Sequence, residues 1–117
     1  MNHFNTLAEF KKEFKRLKKY KTLDDDLEKF KEILITVPMG IGKNFTIIHS
    51  SPTLKIVTAR MACRTFRDRS LRIIYSYADQ AKRIDFIEIY FKGKKENEDH
   101  ERIKEYLQNQ NPAHHPI

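Results

Sequence analysis

Leu71-Arg72-Ile73-Ile74-Tyr75-Ser76-Tyr77 and, shortly after it, Ile84-Asp85-Phe86-Ile87-Glu88-Ile89-Tyr90-Phe91 decide the fold of this 117-residue chain. Both runs are dense in Ile, Tyr and Phe, which suit a pleated, half-buried surface. In the first run Leu71, Ile73, Tyr75 and Tyr77 fall on one face, with Arg72, Ile74 and Ser76 on the other. In the second, partial alternation sets Ile87, Ile89 and Phe91 against Phe86, Glu88 and Tyr90. One face is strongly apolar and must be covered. The other carries Arg72, Glu88 and Tyr90 among apolar neighbours, a mixture that suits a binding face. Tyr75 and Tyr77 lie on the apolar side, so they read as core rather than as platforms for stacked bases.

Outward from these strands, residues 45–49 and 54–61 show the same composition. Ser51-Pro52, Arg67-Asp68-Arg69-Ser70 and Ala78-Asp79-Gln80 serve as turn-like breaks. Further upstream the period changes. Leu7, Phe10, Phe14, Leu17 and Tyr20 recur at helical spacing, with Asn5 or Thr6 as the expected N-cap. Leu23, Leu27, Phe30, Leu34 and Val37 form a second stripe, with Thr22 as N-cap, Asp25 at the capping-box position and Pro38 as the stop. The short link makes the two helices an antiparallel hairpin, and their stripes cover the apolar sheet face. A last helix is expected over residues 98–108, with Ile103, Tyr106 and Leu107 as its apolar edge. Its acidic and basic residues nearly balance, so charge gives it no nucleic-acid role. The reading is an α+β fold: an N-terminal helical hairpin on a mostly antiparallel four-stranded sheet, then a C-terminal helix. Residues 1–108 form one domain, and residues 109–117, with Pro112 and Pro116, form a disordered tail.

Composition narrows the partner class. Lys and Arg number 23 against 16 Asp and Glu, a net charge of +7, and the pI is about 9.5. Such a surface favours an anionic partner: nucleic acid, an acidic protein or an anionic membrane face. Cys63 is the only cysteine, which excludes an internal disulfide framework and a Cys-based zinc site. With no apolar signal core after Met1, the expected location is a reducing, cytoplasmic compartment. No apolar run approaches the roughly 18 residues of a membrane span. Gly40-Ile41-Gly42-Lys43 lacks phosphate-loop spacing and follows a helix where a strand is required. There is no His pair at metal spacing and no nucleophile elbow, so no metal or cofactor is expected. Cys63 reads as a packing residue.

The charge has two chemistries. The first helix carries mostly lysine, including Lys11, Lys15 and Lys18, and supplies diffuse attraction to phosphates. Around the third and fourth sheet segments stand Lys55, Arg60, Arg64, Arg67, Arg69 and Arg72, with only Asp68 opposing. Arginine grips phosphate in a bidentate fork, so this stretch supplies positioned contacts.

A basic helical hairpin, then Lys55-Ile56-Val57-Thr58-Ala59-Arg60, then Leu71 to Tyr77, then Phe86-Ile87-Glu88-Ile89-Tyr90-Phe91-Lys92-Gly93 resembles the RelE/ParE superfamily of toxins. The segment from Ile87 to Leu107 is similar to one RelE-type subgroup, and the resemblance spans about residues 3 to 107. It implies a short first strand at residues 3–5, two helices, a curved sheet and a C-terminal helix. It also implies the toxin of a toxin–antitoxin system, held off by an acidic antitoxin. Its activity would be cleavage of mRNA in the ribosomal decoding site. The ribose 2′-hydroxyl attacks the adjacent phosphorus without metal and leaves a cyclic phosphate.

Carried onto this chain, Arg72 contacts the scissile phosphate, and Arg60 is the basic residue one strand earlier. Lys92, Lys94 and Lys95 are candidates for a phosphate clamp. His100 and Tyr90 are candidate acids or bases, and Glu88 is either a base or an ion-pair partner of Arg72 or Arg60. Arg64, Arg67 and Arg69, with Lys94, Lys95, Lys11, Lys15 and Lys18, are the expected RNA contacts. Two other readings stay open: a ParE-like toxin that inhibits gyrase, and a catalytically inert basic module that binds RNA or an acidic peptide.

Overall fold

The structure is a computed structural model that describes residues 3–40, 42–65 and 68–110, the side chains of 68–70 excepted. Its elements are β1 (His3–Thr6), α1 (Ala8–Arg16), a 3-10 turn (Leu17–Lys19), α2 (Leu23–Thr36), β2 (Phe45–Ser50), β3 (Lys55–Cys63), β4 (Asp68–Ala78), β5 (Arg83–Phe91) and α3 (His100–Asn109). The five strands form one sheet in the order β1-β5-β4-β3-β2. From β2 to β5 the sheet is an antiparallel meander, while β1 runs parallel to β5. The chain thus starts at one edge, crosses a sheet face through α1 and α2, and returns from the opposite edge. The short first strand makes the sheet five-stranded and mixed rather than four-stranded.

That strand also displaces the expected cap of α1. Asn5 and Thr6 pair with Asp85 and Phe86, so Leu7 becomes the N-cap, without a side-chain cap bond. Leu7 leaves the helical stripe and packs against the α3 side of the sheet. Phe10 is buried on the helix side, with Phe14, Leu17 and Tyr20 packed at its margin. The last two lie beyond the end of α1, where the helix has tightened into the 3-10 turn.

α2 buries Leu23, Leu27, Phe30 and Leu34. Thr22 occupies the N-cap position, but its hydroxyl donates to Asp26 Oδ2 at 2.8 Å and accepts from Thr65 N at 3.1 Å instead of capping the helix backbone. Asp26, not Asp25, is the buried acid. It accepts from Arg64 N at 3.1 Å and Arg64 Nε at 3.2 Å. Burial pushes its carboxyl up, but hydrogen bonds from Thr22, Cys63 and Arg64 outweigh this and hold it below the usual carboxylate range. After α2, Gly40 has φ +73°, and a Cβ there would collide with the Phe45 ring. Only glycine lets that ring stack on Phe30, 6.0 Å away.

The two sheet faces differ. Toward α1 and α2 lie Val57, Ala59, Met61, Leu71, Ile73, Tyr75, Ile84, Phe86 and Ile89, all buried, together with buried Cys63. Toward α3 lie Ile56, Ile74, Ala78, Ile87 and Tyr90, under Ile103 and Tyr106. β5 departs from strict alternation here. Tyr75 pairs with Phe86 but Ile74 pairs with Glu88, so Ile87 is an extra, bulged residue. Glu88 and Tyr90 keep the expected face, whereas Phe86 turns to the helices and Ile87 to α3.

The outer edge of β5 is closed by side chains. β1 ends opposite Phe86. Beyond it, Glu13 of α1 accepts from Ile89 N at 3.3 Å, and Arg102 of α3 donates to Ile87 O at 2.9 Å. Arg102 and Glu13 also form a bidentate pair at 2.8 and 2.9 Å. Two of the backbone groups that β1 leaves unpaired are thereby satisfied, and the two helix layers are tied around the sheet edge.

α3 starts two residues later than expected, because Asp99 accepts from Arg102 N at 3.0 Å and acts as its N-cap. Asn109 closes the helix, and Gln110 Oε1 accepts from Arg83 at 2.6 Å. Residues 109 and 110 of the expected tail thus end α3, and residues 111–117 lie outside the described residues. No helix among the described residues is long and apolar enough to cross a membrane.

Candidate nucleic-acid interface

Arg60, Arg72 and Tyr90 form one row across three strands. Arg60 pairs with Arg72, and Arg72 pairs with Tyr90. Directly opposed residues share a face, so the three side chains project to the same side of the sheet. The bulge at Ile87 is what puts Tyr90 in this row. Without it Ile89 would oppose Arg72, and Tyr90 would point at the helices.

α3 covers one half of this face and leaves the other half open. The open half is a pocket of about 150 Å³. Its walls carry the cations Lys43, Arg60, Arg72 and Lys92, the carboxylates Glu96 and Glu98, and the neutral polar residues Asn44, Thr46, Thr58 and Asn97, with Tyr90. Arg60 N donates to Asn44 O at 2.8 Å, which fastens the loop before β2 beside the row. Lys92 Nζ donates to Glu96 O and holds the far wall. Tyr90 is 8% exposed. Burial raises its phenol above the ordinary range, and the charges of Glu98 and Glu88 raise it further against the opposing Arg72. Tyr90 therefore stays protonated at neutral pH and can donate a proton, but it is not a resting base.

The other expected site residues are placed elsewhere. Glu88 is fully buried and accepts from Lys95 Nζ and, at 2.7 Å, from Asp99 N. It pins the segment after β5 and is not an open base, nor is it paired with Arg72 or Arg60 in any described ion pair. Lys95 is committed to that bond and stands 5.4 Å from the Tyr90 ring centroid. His100 is exposed and does not line the pocket. Its Nε2 lies 3.8 Å from Glu98 Oε1. Lys94 sits exposed on the turn after β5.

Arg64 belongs to α2: its guanidinium reaches Asp25 at 3.3 Å and Asp26 at 3.2 Å. Proximity in sequence to Arg60 and Arg72 misleads here, because Arg64 follows the end of β3 where the chain meets the acidic start of α2. Arg67 and the Arg69 side chain lie outside the described residues. Lys11, Lys15 and Lys18 belong to the helix layer, across the sheet from the arginine row. They border a groove between α1 and α2 whose floor is Phe10, Phe14 and Leu27. Lys18 also approaches Asp24 at 3.8 Å.

Sequence reasoning missed Lys43, Asn44, Asn97 and Glu98. Each sits in a loop, and register alone brings it to the row. No cluster of three or more His, Cys, Asp or Glu residues suited to a metal occurs among the described residues. The arrangement suits a phosphodiester: the cations of the lining offset anionic charge, and a protonated phenol stands among them.

No protein-family model matches the sequence, and no curated protein matches it. Among solved structures, the chain is similar to one in the crystal structure of the archaeal RelE–RelB complex from Pyrococcus horikoshii OT3. The TM-score is 0.64 at 19% identity, over 79% of this chain and 96% of that one. At that identity the likeness is one of fold, and it agrees with the helices-over-sheet architecture above: the chain has a RelE-like fold.

Proposed function

We propose that this chain is the toxin of a toxin–antitoxin pair and a cytoplasmic endoribonuclease that cuts mRNA on the ribosome. The Arg60–Arg72–Tyr90 row, lining one pocket on a RelE-like fold, is the observation that carries the reading. The attacking group is the 2′-hydroxyl of the message itself, so the protein need only position, stabilise charge and move protons. Arg72 and Arg60 offset the charge that builds on the phosphorus oxygens. Tyr90 gives a proton to the departing 5′-oxygen. Lys43 and Lys92 hold the flanking phosphates, and the lysines of α1 draw the polyanion in, which makes binding salt-dependent.

The partner is an acidic antitoxin. Four cations around one small pocket attract any polyanion, and an acidic segment that folds over them would block the site. The solved RelE–RelB complex shows that this fold occurs in a complex with a second protein.

Primer extension on a message incubated with the purified protein, with and without ribosomes, tests the reading. New cut sites only with ribosomes are expected. An uncut message in both reactions refutes the nuclease, and the protein would then be assayed for inhibition of DNA supercoiling.

A further inference from the structure

The pocket holds two carboxylates on its rim, and they differ. Glu96 is exposed, whereas the Glu98 side chain is only 18% exposed. Glu98 shares the pocket with Arg60, Arg72 and Tyr90, and its Oε1 lies 3.8 Å from His100 Nε2. Three other candidates for taking up a proton are unsuited. Both Glu88 oxygens are engaged, by Lys95 and by Asp99 N. Tyr90 is held protonated. His100 lies outside the pocket wall.

We propose that Glu98 is the proton acceptor for the 2′-hydroxyl, with His100 behind it as the positioning residue through which the proton leaves. This rests on the nuclease reading above. In the step, the 2′-oxygen forms a bond to phosphorus while its proton moves to the Glu98 carboxylate. The bond from phosphorus to the 5′-oxygen breaks, and the Tyr90 hydroxyl protonates that oxygen. A 2′,3′-cyclic phosphate and a 5′-hydroxyl result. The Glu98 proton then passes to solvent by way of His100, and the Tyr90 phenolate regains one from water, so the enzyme is restored. The charge that Glu98 exerts on the Tyr90 phenol is consistent with the two groups flanking one phosphodiester.

The charged and titratable groups that share the pocket with Glu98 are Lys43 before β2, Arg60 of β3, Arg72 of β4, Tyr90 of β5, and Lys92 and Glu96 after it. His100 of α3 borders Glu98 from outside. Of these groups, Glu96 on the pocket wall and His100 beside Glu98 are further proton carriers, so both are varied as controls.

The test is ribosome-dependent cleavage by Glu98→Gln, Glu98→Asp, Glu96→Gln and His100→Ala across pH 4.5–8.5. Binding of a message with a 2′-deoxyribose at the cut site is measured in parallel. Glu98→Gln is expected to cut roughly 100-fold or more slowly, in line with loss of a general base. It should lose the rise of rate with pH on the acid side, yet bind the deoxy message as tightly as the parent. Glu98→Asp should keep part of the rate and the acid limb. Glu96→Gln should keep the acid limb, and both it and His100→Ala should slow cutting by less than Glu98→Gln. Parent and Glu98→Gln cutting alike would overturn the role of Glu98 while leaving the nuclease reading intact. Equal losses of binding and cutting in Glu98→Gln would make Glu98 a structural residue and overturn the proposal as well. If the parent itself does not cut, the nuclease reading fails, and the Glu98 role falls with it.

Discussion

The two faces of the sheet start from one alternating pattern and end with different jobs. On β4, Leu71, Ile73, Tyr75 and Tyr77 point to α1 and α2, where the surface is continuous and sealed. Arg72, Ile74 and Ser76 point the other way. There α3 covers Ile74 and Ser76, whereas Arg72 borders the open pocket. The helix face therefore stabilises the molecule mainly through apolar burial, with its buried polar groups, Asp26 and the Tyr75 hydroxyl, each hydrogen-bonded. The α3 face divides along its length, with apolar packing and the Tyr106–Ser76 hydrogen bond at one end and the cationic row at the other. The difference teaches that stability and the candidate chemistry are separable here: each strand contributes to both, one residue apart.

The largest effect on this separation should come from Phe86→Ala. Phe86 is fully buried and stacks on Phe4 and Phe10 at centroid distances of 5.7 and 5.4 Å. Loss of this ring should cost about 3–5 kcal/mol in denaturant unfolding. A loss below about 1 kcal/mol would mean that the helix face is not the stabilising one.

Arg102→Ala comes next. It strands Glu13, which is 15% exposed, and leaves Ile87 O without its donor, so about 2 kcal/mol should be lost. A double-mutant cycle with Glu13→Ala should return part of it. Additive losses would show that the edge clasp is not a coupled pair.

High pH should weaken both faces. Burial raises the phenols of Tyr75 on the helix face and of Tyr90 and Tyr106 on the α3 face. Each binds its proton more tightly folded than unfolded. The stability from this is therefore fully present below the unfolded value near pH 10 and is lost as pH rises toward the raised folded values. Each such tyrosine can contribute up to about 1.4 kcal/mol of loss per pH unit. Chemical denaturation at pH 9 and pH 11 measures it, and equal stabilities would contradict the burial of these hydroxyls.

The smallest effect is that of Asp99→Ala. It removes the N-cap of α3 and should cost about 1 kcal/mol. Thermal melting reads it, and an unchanged melting temperature would show that α3 is held by its packing alone.

Much of this was legible in the sequence, and the gaps have physical causes. Alternation from Leu71 to Tyr77 in β4 is unbroken, so its two faces there could be assigned from residue types. In β5 the bulge at Ile87 is invisible, because Phe86, Ile87 and Ile89 are apolar on either side of the slip and only pairing to β4 reveals it. β1 is four residues long, and its Asn5 and Thr6 also suit a helix cap. Propensity could not separate the two, since the parallel pairing to β5 is a long-range effect. Arg60 and Arg72 were both visible, and the structure brings them together through β3–β4 register. Arg64, four residues from Arg60, is drawn off by Asp25 and Asp26. Lys43 and Glu98 reach the pocket from loops, where no period marks a face.

The central claim is that Arg72 serves the open face and Arg64 the fold, although both belong to one arginine-rich stretch. Ribosome-dependent cleavage and thermal melting of Arg72→Ala and Arg64→Ala, taken on the same preparations, test it most directly. Arg72→Ala should cut about 100-fold or more slowly while melting like the parent, as for loss of a transition-state donor. Arg64→Ala should lose about 1 kcal/mol of stability and cut at close to the parental rate. An Arg72→Ala protein that cuts normally, or an Arg64→Ala protein that is stable but inactive, would contradict the account.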